Sequence, residues 1–274
     1  MRHPFSYHGR RVVVTGGASG VGAALLEVLA ELDAAYVAVI DVNPPAGPNH
    51  AFLATDLSDE HAVRDAVARI DGPVHALFNN AGVSDTPPPP TVLAVNYLAL
   101  RTLSEGLLDR MPEGGAIVNT ASTAGNLWRK RKDPINTMLD IDIAGGWAAP
   151  LQWFEDHRPS LGQTPYNFSK ELVEVYTMRS SRPTLRRGVR TNAVCPGPID
   201  TPLLPEFRAA TSDKIVDWNI REMTGRAITP REVATVLAFL GSPDAAYVNG
   251  VNLDIDGGFN AAMSTGQLDM SGRA

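Results

Sequence analysis

The segment Thr15–Gly22 (TGGASGVG) stands directly behind the strand-like run RVVVT and ahead of a helical pattern. This strand–turn–helix unit constrains the chain more than any other feature. Glycines reach backbone conformations closed to other residues, and a following helix offers free N–H groups and a partial positive charge at its first turn. Gly16 can turn the chain sharply, Gly20 lets backbone approach an anion, and Gly22 lets the helix pack close to the sheet. The spacing is TGxxxGxG, not the GxGxxG of the commonest dinucleotide fingerprint. Such turns serve packing in many folds; the flanking strand and helix favour a pyrophosphate cradle here.

The alternation continues along the chain. VVVT (12–15), AYVAVID (35–41), AFLAT (51–55), VHALFN (74–79), GAIVNT (115–120), VRTNAVC (189–195) and VNLDID (251–256) are short apolar or β-branched runs bounded by turn residues. Between the first two, Val21, Leu25, Val28, Leu29 and Leu32 share one helical face. Leu93, Asn96, Leu100, Leu103 and Leu107 do likewise between the fourth and fifth. TPREVATVLAFLG (229–241) predicts a late helix with Thr229 at the N-cap, Pro230 first in the helix and Gly241 after its end. Strands buried on both faces and alternating with helices predict an α/β fold: one doubly wound (Rossmann) parallel sheet with helices on both sides. No repeat or linker divides residues 1–274, so a single domain is expected.

Composition narrows the partners. Hydrophobic residues at 44% support a large core, and a net charge of −6 gives no reason to expect nucleic acid or an anionic membrane. Cys195 is the only cysteine, so no intrachain disulfide can form and a reducing compartment follows. MRHPFSYHGRR has no apolar leader core and no 18-residue apolar run occurs, which points to a cytoplasmic protein. No metal is expected.

Two stretches break the rhythm. Residues 126–164 carry Trp128, Trp147, Trp153 and Phe154, and residues 202–228 carry Leu203, Leu204, Phe207, Ile215, Trp218, Ile220 and Met223. Both follow strands and should emerge at the carboxyl edge, where open α/β sheets bind ligands. Their apolar residues either line a substrate pocket or close each segment on its own core. The basic run Arg129–Lys132 reads as a solvated loop.

Asp41 ends the second strand 19 residues beyond Gly22, where a carboxylate can accept hydrogen bonds from an adenosine ribose. It would repel a 2′-phosphate, and neither Ser19 nor Val42 is basic, which favours NAD(H) over NADP(H). Asp56 and Leu57 are candidates for the adenine edge, and Asn79-Asn80-Ala81-Gly82 for the cofactor floor.

On a helix opening at Thr164-Pro165, Tyr166 and Lys170 stand four residues apart on one face. A free phenol, with a pKa of about 10, is a poor base at neutral pH. A neighbouring ammonium favours phenolate. Ser122, behind IVNTA, could hold a substrate oxygen beside Tyr166. Asn96 interrupts an apolar stripe, either as a satisfied structural amide or as the anchor of a proton-relaying water.

Thr15–Gly22, Asn79–Gly82, Asn96, Ser122, Tyr166–Lys170 and Pro196–Thr201 (PGPIDT) together resemble the short-chain dehydrogenase/reductases over essentially the whole chain. The resemblance implies a catalytic tetrad of Asn96, Ser122, Tyr166 and Lys170. It implies a cofactor site of Gly16, Ser19, Gly20, Val21, Asp41, Val42, Asp56, Leu57, Asn80, Ala81, Gly82, Pro196, Gly197, Ile199 and Thr201, together with Tyr166 and Lys170. In such a site Lys170 also binds the nicotinamide ribose, while Ile199 and Thr201 contact the carboxamide. Ser122 and Tyr166 stand 44 residues apart, where about a dozen is usual in the family, so 126–164 is an insertion. This resembles the 3α-hydroxysteroid dehydrogenase/carbonyl reductase branch, in which the insertion obstructs one subunit interface. A homodimer or homotetramer is therefore expected. The implied activity is reversible oxidation of a small secondary alcohol to a ketone with NAD, on an apolar substrate such as a steroid or terpenoid. The alternatives are a catalytically silent dinucleotide-binding regulator on the same fold, or a reductase of a more polar carbonyl.

Overall fold

The structure, a computed structural model, describes residues 5–268. All seven expected strands form: β1 (Arg11–Thr15), β2 (Tyr36–Asp41), β3 (Ala51–Ala54), β4 (Ala76–Asn79), β5 (Ala116–Thr120), β6 (Arg190–Pro196) and β7 (Asn252–Ile255). They pair in parallel in the order β3-β2-β1-β4-β5-β6-β7. The early helices are α1 (Gly20–Glu31), α2 (Glu60–Arg69), α3 (Pro89–Leu93) and α4 (Ala99–Leu107). Then come α5 (Lys132–Asp140), α6 (Ala148–His157) and α7 (Pro165–Leu185). The chain finishes with α8 (Leu204–Thr211), α9 (Asp213–Glu222), α10 (Pro230–Gly241) and α11 (Phe259–Ser264).

Each sheet face has its own core. Val13, Leu77 and Ile117 point to the side of α2, α4 and α7, while Val12, Val14, Phe78 and Val118 point to the side of α1 and α10. Leu25, Leu26 and Leu29 of α1 have no exposed surface; each such burial contributes about 1.5–3 kcal/mol. α10 opens on a capping box between Thr229 and Glu232 with Pro230 at the first turn. Gly241 lies inside the end of that helix rather than beyond it. A Cβ there would sit 2.5 Å from Phe78 and 2.6 Å from Tyr7, so its role is close packing.

The insertion is a second helical layer. Ile135, Met138, Leu139, Ile143, Trp147, Phe154 and Leu161 are all buried in the larger core. Trp147 donates from Nε1 to Thr102 at 3.0 Å and from its backbone to Glu60 at 2.8 Å. Trp153 stacks on His157, with ring centroids 4.4 Å apart, and Phe154 on Phe168 at 5.9 Å. Of the two roles open to these aromatics, closing the segment on its own core is the one adopted. The cover explains why Phe168 to Thr177 of α7 are buried on every side of the helix.

The basic run is a solvated helical turn rather than a loop, with Arg129, Lys130 and Lys132 exposed and Arg131 turned inward. Trp128–Arg131 is a 3₁₀ turn leading into α5. Arg129 lies over the Trp128 ring, and Arg131 forks onto the fully buried carboxylate of Glu171, with Nε to Oε2 at 2.7 Å. The C-terminal segment from Ala261 continues α11, whose Phe259 packs edge-on against Trp218 at 5.4 Å; residues 269–274 lie outside the described residues. Among the described residues no helix is long and apolar enough to cross a membrane.

Candidate active site

Strand order reverses between β1 and β4, which opens a crevice at their carboxyl ends. The turns after these strands are tied together. Thr15 Oγ1 accepts from the backbone amides of Asn80 and Ala81, both at 3.0 Å, and Asn80 Nδ2 donates to the carbonyls of Thr15 and Gly16 at 3.3 Å. Gly16 has φ +71°, and a Cβ there would lie 2.7 Å from Ala81 Cα. A Cβ at Gly22 would overlap the carbonyl oxygen of Gly16. Gly22 thus serves closure of the turn on itself, not helix–sheet packing; that task falls to Gly17, whose Cβ would sit 2.7 Å from Val39.

Ser19 occupies the N-cap of α1 without a side-chain capping bond. The first-turn amides at Gly20, Val21 and Gly22 therefore keep the unpaired donors of a helix start. Opposite them, Thr201 approaches so closely that a Cβ at Gly20 would be 3.1 Å from its methyl group. Pro196 ends β6, Gly197 N donates to Ile255 O at 3.0 Å, and Ile199 bridges to Ile228. Asp41 accepts from Ala18 N at 2.9 Å and Asn43 N at 3.0 Å, which holds its carboxylate against the glycine turn beside the exposed Val42. Unpaired amides, a crowded glycine elbow and a carboxylate at the end of β2 fit a dinucleotide.

One expected floor residue lies elsewhere, and so does one expected at the adenine edge. Asn79 is buried, donating to Ser104 and Asn119, both at 2.9 Å, so it belongs to an internal polar network. Leu57 is buried in the core, and the exposed Asp56 accepts from Ser58 N and Oγ, both at 2.8 Å.

Thr164 caps α7, which raises Tyr166 and Lys170 on one face beneath the crevice. Lys170 Nζ lies 5.6 Å from the Tyr166 ring centroid and donates to Thr120 O at 2.8 Å. The Ser122 side chain lies close enough to the Tyr166 phenol to favour its ionised form. Burial pushes the phenol up to about 12, against the lowering effect of Ser122 and with the Asp85 charge adding to the rise. Burial likewise pulls Lys170 down to about 8. Desolvation is the largest influence on both groups, because both sit away from water.

Asn96 lies in a π-helical turn, Ala94–Leu98, which joins α3 to α4. π-turns often mark functional sites. Its Oδ1 accepts from Val83 N at 2.9 Å, and Nδ2 donates to Val83 O at 3.1 Å and Ser169 Oγ at 3.0 Å. The side chain is a clamp between the strand-four loop and α7, with Gly82 against both Asn96 Oδ1 and Lys170 Nζ. All four tetrad residues are therefore brought to one place.

Sequence reasoning missed Ser84 and Asp85 at the rim. Asp85 accepts from Tyr166 N at 2.7 Å, Ser84 donates to Glu206 at 2.6 Å, and Phe207 of α8 meets the Tyr166 ring edge-on at 4.8 Å. Of the 202–228 aromatics, Phe207 faces the site while Trp218 is buried against Phe259. No periodic signal marks Ser84 or Asp85, which lie in a loop.

Comparison with known proteins supplies the family context. Residues 10–131 match the short chain dehydrogenase model, and residues 151–260 match the enoyl-(acyl carrier protein) reductase model. Coniferyl-alcohol dehydrogenase of Pseudomonas sp. (strain HR199 / DSM 7063) is 32% identical over 91% of this chain and 96% of its own length. The 3-alpha-hydroxysteroid dehydrogenase/carbonyl reductase of Comamonas testosteroni is 30% identical over 94% and 99%. The crystal structure of 3-alpha-hydroxysteroid dehydrogenase from Pseudomonas sp. B-0831 with NADH superposes with TM-score 0.75 at 33% identity, covering 93% of this chain and 98% of that one.

Proposed function

This chain belongs to the short-chain dehydrogenase/reductase family, and on that premise we propose that it is an NAD-dependent dehydrogenase interconverting a secondary alcohol and a ketone on an apolar alicyclic substrate. The observation that carries the reading is the Tyr166 phenol with Ser122 beside it and Lys170 one turn on, at the mouth of the glycine-lined crevice. Ser122 and Tyr166 hold the substrate oxygen, and Tyr166 takes its hydroxyl proton during oxidation. Lys170, anchored on Thr120 O, passes that proton outward, and Asn96 holds the Gly82–Val83 backbone in register. A nicotinamide dinucleotide bound in the crevice supplies the hydride acceptor and a positive charge that lowers the buried phenol. The first turn of α1 would hold its pyrophosphate, Asp41 its ribose, and Ile199 and Thr201 its carboxamide end.

Asp41 favours NAD(H): its carboxylate, held against the glycine turn, would repel a 2′-phosphate. Phe207 on the Tyr166 ring gives the pocket an apolar wall, and the names of the hydroxysteroid relatives point the same way. A second reading, a reductase of a more polar carbonyl, draws on Asp85 and Glu206 at the rim. Reduced-nicotinamide absorbance with NAD⁺ and a panel of steroid, monoterpenoid, coniferyl and sugar alcohols separates them. Turnover confined to the apolar members is expected; preference for sugar alcohols would favour the second reading, and no turnover on any would favour a silent regulator.

A further inference from the structure

Tyr166, Lys170 and Glu174 stand at successive turns of α7, and the mechanism uses only the first two. Glu174 is 2% exposed, and its Oε1 is enclosed without a hydrogen-bond partner. An orphaned, desolvated carboxyl oxygen is costly and calls for a reason. Its neighbour gives one. A Cβ at Gly125 would overlap Glu174 Oε1 and lie 2.8 Å from the carbonyl oxygen of Lys170, so the Gly125 backbone rests directly on both. Gly125 closes the 3₁₀ turn Thr123–Gly125, whose N-cap is Ser122. Gly125 N donates to Ser122 O at 2.9 Å, and Ser122 Oγ accepts from Ala124 N at 3.1 Å. The turn is a rigid bracket with Ser122 at one end and the Glu174 seat at the other.

We propose that the neutral carboxyl of Glu174 is a positioning residue: it seats the Ser122–Gly125 turn on α7, fixes the Ser122 hydroxyl against Tyr166, and releases the turn when it ionises. The consequence for catalysis rests on the reading of Ser122 and Tyr166 given above; the seating of the turn does not. The seat admits no room for the water that a carboxylate needs, so ionisation demands that the bracket lift. The surroundings hold the acid form. Burial raises Glu174 to about 8, Asp254 of β7 and Glu171 of α7 add to the rise, and Arg129 and the Cys195 thiol of β6 oppose it. Lys170, one turn away, donates to Thr120 O. Because the folded value lies above the ordinary carboxyl value, the wild-type protein loses stability as pH rises from about 4.5 towards 8.

The test compares the full chain with E174Q, which fills the same space and cannot ionise. Amide exchange of the segment bearing Ser122–Gly125, corrected for intrinsic rate, is followed from about pH 6 to about pH 9.5. In parallel, kcat and KM are measured with NAD⁺ and the fastest alcohol of the panel. The wild type should lose at least ~10-fold protection in this segment above about pH 8 and show a falling kcat there, while E174Q keeps its protection and shows no such fall in kcat, only the pH response set by Tyr166 and Lys170. If E174Q fails to fold, E174M, which also cannot titrate, replaces it. The same pH response of exchange in wild type and variant would overturn the seating. An altered exchange response with an unchanged kcat profile would overturn the positioning role. Altered exchange in a protein that oxidises no alcohol would uphold the seating and locate the failure in the functional reading.

Discussion

The ammonium of Lys170 lies 5.6 Å from the centroid of the Tyr166 ring and donates to the carbonyl oxygen of Thr120 at 2.8 Å. One contact ties the helix bearing the phenol to the end of β5, two residues ahead of Ser122. The lysine is held in place by a neutral acceptor, with burial opposing its charge.

Lys170→Met should therefore separate activity from stability. Its folded value of about 8 lies below the ordinary 10.5, so at neutral pH the lysine is charged at a cost in stability, and the wild type gains stability only as pH climbs from about 8 to about 10.5. Loss of the bond to Thr120 O offsets part of the relief. At about pH 7 the variant should melt roughly 2–4 °C higher, for a net ~1 kcal/mol, while kcat falls at least ~100-fold. The melting advantage should vanish at alkaline pH. Calorimetry across pH and steady-state kinetics check both halves.

Gly22→Ala should abolish cofactor binding. The added methyl group would overlap the Gly16 carbonyl and crowd Asn80 Nδ2 at 2.8 Å, the side chain that ties this turn to the one after β4. A destabilisation of about 3 kcal/mol is expected, with loss of NADH fluorescence enhancement. Ordinary NADH affinity in this variant would contradict the elbow geometry.

Asp41→Asn should relax cofactor choice. The amide keeps the size of the side chain and a carbonyl acceptor for Ala18 N while removing the charge. The ratio of kcat/KM for NAD⁺ over NADP⁺ should fall by ~10-fold or more, the scale of one lost charge repulsion of ~1.4 kcal/mol. An unchanged ratio would assign selectivity to other residues.

Arg131→Met should loosen the insertion. The guanidinium neutralises Glu171, whose side chain has no exposure, and truncation leaves a buried charge alone. A loss of about 3–5 kcal/mol is expected in urea unfolding, with earlier amide exchange in α5 than in the sheet.

The strands were legible because residues such as Val12–Val14 and Leu77–Phe78 are buried on both faces, which writes a continuous apolar run into the sequence. Tyr166 and Lys170 were legible because helical spacing alone stacks them. The insertion was not. Trp147 and Phe154 on a core-facing helix look the same in sequence as aromatics lining a pocket, and only their packing on α2, α4 and α7 decides between the two. Spacing reveals the charge beside the phenol but not the desolvation that raises it. Asp85, Ser84 and Glu206 meet across long sequence separations, and Glu174 lies in a wholly buried stretch of α7 where no amphipathic contrast singles it out.

Tyr166→Phe tests the central claim most directly, since it removes only the phenolic oxygen that meets Ser122. With NAD⁺ and the fastest alcohol of the panel, kcat should fall at least ~100-fold while the NAD⁺ dissociation constant stays within about threefold. Near-normal turnover in that variant would contradict proton transfer through Tyr166.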